Sequence, residues 1–386
     1  MANKKSAIYP VLFAFAVMGL GDIVGVITNY AKESFGLSNT IAGLIPSAVF
    51  IWFLFLSVPT AVLMNKIGRK KMVNISIVLT FIGLVLPLIS FNVVTFFIVC
   101  ILLGIGNSII QVALNPLLAD AAGAKETLAS YISAGQVLKA LVGASAAVVA
   151  TLCIGAFGDW KFMFPAYAVI AIASYLWLRF TPIEESEVEA GSTIMQSFSG
   201  AFGLLGNKFI FFCFLGIFTV VGLDVGMNYV SPGLLQERAG MADGSFGCTV
   251  YLICKMMGAF VGAFLLSKIA DSKFFKIAML LVTATLAGLF LAKGQALLFV
   301  LIGAMGFFSS SIFSIIISLA INRMPEKANE ISGLMIMGIV GGAVVTLLMG
   351  ITADKMGSQT ASLAIIGICV AYLLLCAFGL LKAKKA

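Results

Sequence analysis

Four charged side chains stand well inside apolar stretches of this chain: Asp22, Lys139, Asp224 and Lys255. Each costs roughly 2.5–3.5 kcal/mol at the centre of a membrane helix even on the lenient insertion scale. Such residues persist where they are paired, reach water or do work. Burial raises a carboxylate's proton affinity and a cationic partner lowers it, so an aspartate whose partner changes can take and release a proton. Asp22 is the first candidate for that proton-coupling role and Asp224 the second. The chain has no histidine, which removes the commonest metal ligand and the usual proton carrier and leaves the task to a carboxylate. Lys139 and Lys255 would stabilise an anionic substrate group, unless each is held in a fixed ion pair by an aspartate.

Uncharged polar residues fall into stripes. Asn107, Gln111 and Asn115 recur every four residues and share one helix face, as do Ser310, Ser314, Ser318 and Asn322. These stripes suit recognition of hydroxyl groups in a cavity. The plainer alternative is hydrogen bonding between helices, worth about 0.6 kcal/mol per pair. Asn228 lies four residues after Asp224 and Tyr251 four before Lys255, so each flanks its charge.

The elements that must position these side chains follow from composition. In 386 residues, 61% are apolar and 10% charged, against roughly 45–50% and about 25% in soluble domains. So few charges cannot cover a soluble core of this size, and the chain reads as an all-α integral membrane protein. The seven cysteines form no CxxC pair and read as small buried hydrophobes. No P-loop, metal cluster or nucleophilic triad is present in the pattern, so no enzyme activity, ATP-driven pump or cofactor is expected.

Twelve stretches reach the length of about 20 residues that a bilayer demands: 7–31, 40–64, 72–92, 95–120, 127–156, 161–180, 208–235, 245–268, 274–292, 295–322, 329–353 and 359–381, numbered here as spans one to twelve. Ala14-Phe15-Ala16 resembles a signal-peptidase site, but the apolar run before it is short and holds Pro10, so span one is expected to be retained. Placing both termini in the cytoplasm puts 17 Lys and Arg on the inner side and 5 (Lys32, Lys161, Arg238, Lys293 and Lys355) on the outer side, with Lys139 and Lys255 in the membrane. That asymmetry sets the orientation in a cytoplasmic (inner) membrane. It also accounts for the net charge of +8 as a topological signal and a contact for anionic lipid heads, not as a nucleic-acid surface.

The longest polar stretch, 181–207, carries Glu184, Glu185, Glu187 and Glu189 and separates residues 1–180 from 208–386. The two parts match at a shift of 202 residues: Asp22 falls on Asp224, Leu63–Ile67 on Leu265–Ile269, and Lys125 on Lys327. Two six-helix bundles of like orientation, joined by a cytoplasmic linker, are expected. Transporters built from such repeats place their substrate near the mid-membrane.

With these features on the page the chain resembles the major facilitator superfamily along its whole length. The loop Ala61-Val62-Leu63-Met64-Asn65-Lys66-Ile67-Gly68-Arg69-Lys70-Lys71 resembles the superfamily signature between helices two and three, with Asn65 in place of the usual aspartate and Ala61 in place of the leading glycine. Within the superfamily it is most similar to the fucose permease branch of sugar–proton symporters. Gly21-Asp22-Ile23, Ala42-Gly43-Leu44-Ile45-Pro46-Ser47-Ala48, Asn115-Pro116 and Gln136 carry that likeness. Two positions depart from it. A membrane carboxylate four residues before the Asn-Pro pair is Gln111 here, and an asparagine three residues after Gln136 is Lys139.

The resemblance implies two pseudo-symmetric bundles in the major facilitator fold and alternating-access transport of a small polar solute: a sugar, or a sugar acid or organic anion. Protons and membrane lipids are the other expected partners, and a monomer is the expected state. Asn107, Gln111, Asn115, Gln136, Lys139, Asn228, Tyr251, Lys255, Ser314 and Ser318 are the expected substrate-binding residues. Trp52 and Tyr131 offer faces for stacking on a sugar ring, while Trp160 and Trp177, near span ends, read as interfacial anchors. A drug or lipid exporter of the same fold is the alternative, disfavoured by the polar stripes. A channel would need a repeated pore loop or a ring of charges. The orientation is checked with reporters: a phosphatase fused at Gly158 should be active outside, and the same enzyme fused at the C-terminus should be inactive.

Overall fold

The computed structural model describes residues 4–37, 39–123, 128–185, 200–241, 244 and 246–380. Lys125, Glu187, Glu189 and the C-terminal lysines lie outside the described residues. Among the described residues, twelve helices are long and apolar enough to cross a membrane: Ala7–Thr28, Ala48–Ile67, Arg69–Ile89, Val93–Ala122, Leu128–Phe157, Trp160–Phe180, Lys208–Ala239, Phe246–Leu266, Asp271–Leu291, Gln295–Arg323, Pro325–Ala353 and Gln359–Gly379. They coincide with the twelve expected spans to within a few residues except at the start of span two, where the long apolar helix is entered through Asn39.

Local chemistry sets the ends. Asn92 caps span four by accepting the Thr95 N–H at 3.0 Å, and Gly123, in the left-handed region at φ 64°, closes it. Gly68, at φ 89°, turns the chain from span two into span three. The first N–H of span three, on Arg69, is received by the Glu185 carboxylate of the linker.

Among the described residues three spans are broken in mid-course. Span one breaks into Lys4–Met18, a 3-10 turn at Gly19–Gly21, and Val24–Ser34. Span ten parts at Ser310 and Ser311, between Gln295–Ser309 and Ile312–Arg323. Span eleven is interrupted by a second 3-10 turn, Gly338–Val340. In span eleven Gly333 admits the Ala61 methyl and the Ser57 carbonyl, while Gly338 and Gly341 admit the backbone of span seven at Phe214 and Phe218. Close packing is therefore the reason for these glycines.

By contact the chain divides into two compact units: Met1–Lys125, Gly135–Ala201 and Glu326–Met337 form the first; Glu126–Ala134, Phe202–Pro325 and Gly338–Ala386 form the second. Inside the first, the opening helix of span eleven packs against spans two and four, and Ser332 donates to the Val112 carbonyl at 2.6 Å. A polar knot lies beside it. Buried Arg69 grips both Asp120 oxygens at 2.6 Å and donates through Nε to Asn329 at 2.7 Å. Asn329 donates to Asn65 at 2.5 Å, and Asn65 donates to the Glu330 carboxylate.

Inside the second unit, Ser130 donates to the Ala263 carbonyl of span eight at 2.5 Å. Arg238 ends span seven by donating to the Leu289, Phe290 and Ala292 carbonyls, and Glu237 accepts the N–H groups of Gln359 and Thr360 that open span twelve. One placement corrects an expectation: Trp160 is no interfacial anchor but 5% exposed. Its ring stacks on Tyr30 and meets Phe91, Phe96 and Phe164, and its N–H donates to Ser34. Position near a span end misled there, because neighbouring aromatics bury the ring. Trp177 is 48% exposed.

Gly21 tests the break in span one. A Cβ there overlaps the Asn107 amide, whereas Gly155 has nothing within 4 Å of such an atom. Gly21→Ala should therefore lower thermal stability in detergent by about 1–3 kcal/mol, while Gly155→Ala should leave it unchanged or raise it.

Candidate functional site

The break in span one delivers Asp22. A Cβ at position 19 would lie 2.5 Å from the Lys139 carbonyl oxygen, so Gly19 lets span five approach. The Asp22 N–H closes the 3-10 turn on the Gly19 carbonyl at 3.0 Å. The carboxylate then meets Lys139 Nζ at 3.3 Å, with side-chain exposures of 35% and 19%. Gly143, one turn beyond Lys139, keeps the space over Asp22 clear. Gln136 is half-buried one turn before Lys139.

Beside this pair, Asn107 packs against Gly21. The span-four stripe is almost wholly buried, with Asn107 at 2%, Gln111 at 5% and Asn115 at 3% exposed. Gln111 donates to Asn107 Oδ1 at 3.5 Å, and Asn115 donates to the Gln111 carbonyl at 3.2 Å. The amide Nδ2 of Asn107 is buried with no partner among the described residues.

The second unit holds a separate constellation. Asp224 on span seven receives the Tyr251 hydroxyl at 2.5 Å on one oxygen and the Lys255 ammonium on the other. Tyr251 is fully buried and anchors the carboxylate from one side, while Lys255 and Asp224 keep 32% and 26% of their side chains exposed. Asn228 donates to the Asp224 carbonyl at 3.0 Å. Ser314 is fully buried with an unpartnered hydroxyl, and Ser318 donates at 3.3 Å to Asp271 and accepts from Asn322.

Each expected site residue thus falls in one of two sets. Asp22, Lys139, Asn107, Gln111, Asn115 and Gln136 belong to the first unit, and Asp224, Lys255, Tyr251, Asn228, Ser314 and Ser318 to the second. Both membrane lysines are paired with an aspartate of their own unit. A carboxylate held by one ammonium is a proton switch in principle: protonation removes the ion pair and leaves the lysine free to move. Among the described residues no three His, Cys, Asp or Glu side chains converge as metal ligands.

Residues 11–339 match the Major Facilitator Superfamily profile. The chain belongs to this superfamily. It is a multi-pass membrane protein, all-helical, with the superfamily's twelve spans. It is 28% identical over 383 residues to a glucose/galactose transporter of Brucella abortus, covering 93% of this chain and 90% of the relative. It is 24% identical to the L-fucose-proton symporter of Escherichia coli, covering 88% and 85%. A crystal structure of the Escherichia coli fucose:proton symporter superposes with a TM-score of 0.83 at 18% identity, over 97% of this chain and 98% of the other. The proton:xylose symporter superposes at 0.74 with 16% identity, over 99% and 98%.

Against this background the superfamily loop shows what sequence reasoning missed. With Asn65 where the aspartate is usual, the carboxylate that meets it comes from Glu330 on span eleven. Arg69 and Asp120 sit at the start of span three and the end of span four; the repeat shift carries them onto Asp271 and Asn322, where Ser318 joins the two. The two clusters thus occupy equivalent places in the repeat although their residue types differ.

The Asp22–Lys139 pair can be weighed by a charge cycle. Asp22→Asn or Lys139→Gln alone leaves one uncompensated membrane charge and should cost about 1–2 kcal/mol after allowance for partial exposure. The double variant should recover a substantial part of the loss in thermal unfolding.

Proposed function

We propose that this protein is a proton-coupled hexose transporter working by alternating access, with Asp22 as the proton-coupling carboxylate and Asp224 as the second one. The carrying observation is the Asp22–Lys139 contact at the break of span one. It sits beside a span-four stripe whose amides are suited to hydroxyl groups. Pairing also bears on the substrate class. Lys139 and Lys255 would attract an anionic substrate as bare cations, but each is neutralised by its own aspartate, which favours a neutral sugar over a sugar acid or organic anion. The glucose/galactose and fucose transport named for the relatives points the same way. The polar stripes tell against a drug or lipid exporter.

In this reading Asn107, Gln111, Asn115, Gln136, Asn228, Tyr251, Ser314 and Ser318 hold sugar hydroxyls, and Lys139 and Lys255 reorganise as their partners titrate. Residues 1–180 and 208–386 act as the moving bundles with 181–207 as linker. The protein works as a monomer in the cytoplasmic (inner) membrane with both termini inside, its inner lysines touching anionic lipid. It needs no cofactor.

Proteoliposomes test the assignment. Glucose or galactose should drive proton entry in the wild type. Asp22→Asn should abolish sugar-driven proton movement and concentrative uptake while sparing sugar exchange at equal pH. Undiminished proton movement in Asp22→Asn would move the coupling role to Asp224.

A further inference from the structure

Three buried hydrogen-bond donors in the first unit have no acceptor among the described residues: Trp52 Nε1, Asn107 Nδ2 and the Ser174 hydroxyl; the first two lie on or against span four. An unpaired buried donor costs about 1–3 kcal/mol, and in a native fold such a group calls for a reason. Span four places both. Gly104 has no Cβ, so span two comes down on it at Val49 and the indole Cδ1 of Trp52 lies over it. Nε1 is bonded to that Cδ1. Ser108 fixes the backbone of the same residue by donating to the Trp52 carbonyl at 3.1 Å. Asn107 is three residues after Gly104, on the same face and roughly 4.5 Å along the axis. Its Oδ1 is already occupied by Gln111, which leaves the Nδ2 hydrogens unspent. Spans two and four therefore each hold one unspent donor about neighbouring turns of span four: Trp52 over Gly104, and Asn107 against Gly21, which precedes Asp22 of the Asp22–Lys139 pair.

We propose that Trp52 Nε1–H and Asn107 Nδ2–H form a donor pair for oxygens of the bound hexose, with Trp52 a specificity-determining residue acting through its ring edge rather than its face. The inference rests on the hexose reading above. Two fixed N–H groups donate to any oxygen with lone pairs and gain nothing from a carbon-bound hydrogen. They reject a sugar lacking the oxygen at that position far more strongly than one that differs elsewhere.

Binding of glucose, galactose and their monodeoxy analogues to purified full-length protein tests it. One analogue should bind the wild type about fivefold more weakly than its parent, the value of a neutral hydrogen bond. Trp52→Phe, which keeps a ring and removes the N–H, should bind that parent and that analogue equally, with other discriminations unchanged. A Trp52→Phe protein that retains every wild-type preference, or loses affinity for all sugars alike, overturns the proposal and leaves the hexose reading standing. A wild type that binds none of these sugars sinks both.

A second readout needs no variant at this site. The chain has three tryptophans, so a spectrum of the indole N–H groups shows three signals, assigned through Trp160→Phe and Trp177→Phe. The Trp52 signal should shift with the parent sugar and stay still with the deoxy analogue that lost its acceptor. No shift with a sugar that binds overturns the proposal.

Discussion

An unpaired backbone group in hydrocarbon costs several kcal/mol, and this single constraint shapes the protein more than any side chain does. It makes every span a helix, and it confines departures from helix to places enclosed by protein. Span one departs at Gly19–Gly21, where spans four and five press close enough that no Cβ fits. Span eleven departs at Gly338–Val340 against span seven, and span ten at Ser310–Ser311, where the serine hydroxyl donates back to the Phe307 carbonyl. Irregularity of this kind is what brings a carboxylate such as Asp22 off the helix axis and into contact with an ammonium group.

The same constraint explains why the second unit is built differently around its own aspartate. Span seven runs unbroken from Lys208 to Ala239, so Asp224 stays on a regular helix and is steadied by a tyrosine instead of by a turn. The repeat that places Asp22 and Asp224 at equivalent positions has therefore diverged in its supports. One carboxylate faces a lysine across a broken helix, and the other is clasped between a buried phenol and a lysine of span eight.

Much of this was legible in the sequence because lipid imposes length and polarity in one dimension. The twelve spans, the repeat and the four isolated membrane charges all follow from counting along the chain. Pairing was only half legible, since Lys139 and Lys255 each had two aspartates to choose from and spacing within one chain does not choose. The four-residue stripe on span ten assumed an unbroken helix, and the turn at Ser310–Ser311 interrupts it. Trp160 was misplaced because a tryptophan at a span end looks the same whether it faces headgroups or four aromatic neighbours. The Arg69 knot escaped notice because Arg69 lies more than fifty residues from Asp120 and Asn329, at the ends of spans where charges are ordinary.

The neutrality of the Asp22–Lys139 pair has an electrical meaning. With the aspartate ionised the pair carries no net charge; with a proton added it carries one positive charge. In the proposed cycle the loaded carrier crosses as a monocation and returns empty as a neutral species. Only the loaded stroke then feels the membrane voltage, by about 2.3 kcal/mol for each 100 mV. The voltage and the proton gradient would thus pull on the same step, and an uncharged sugar would be accumulated by a current.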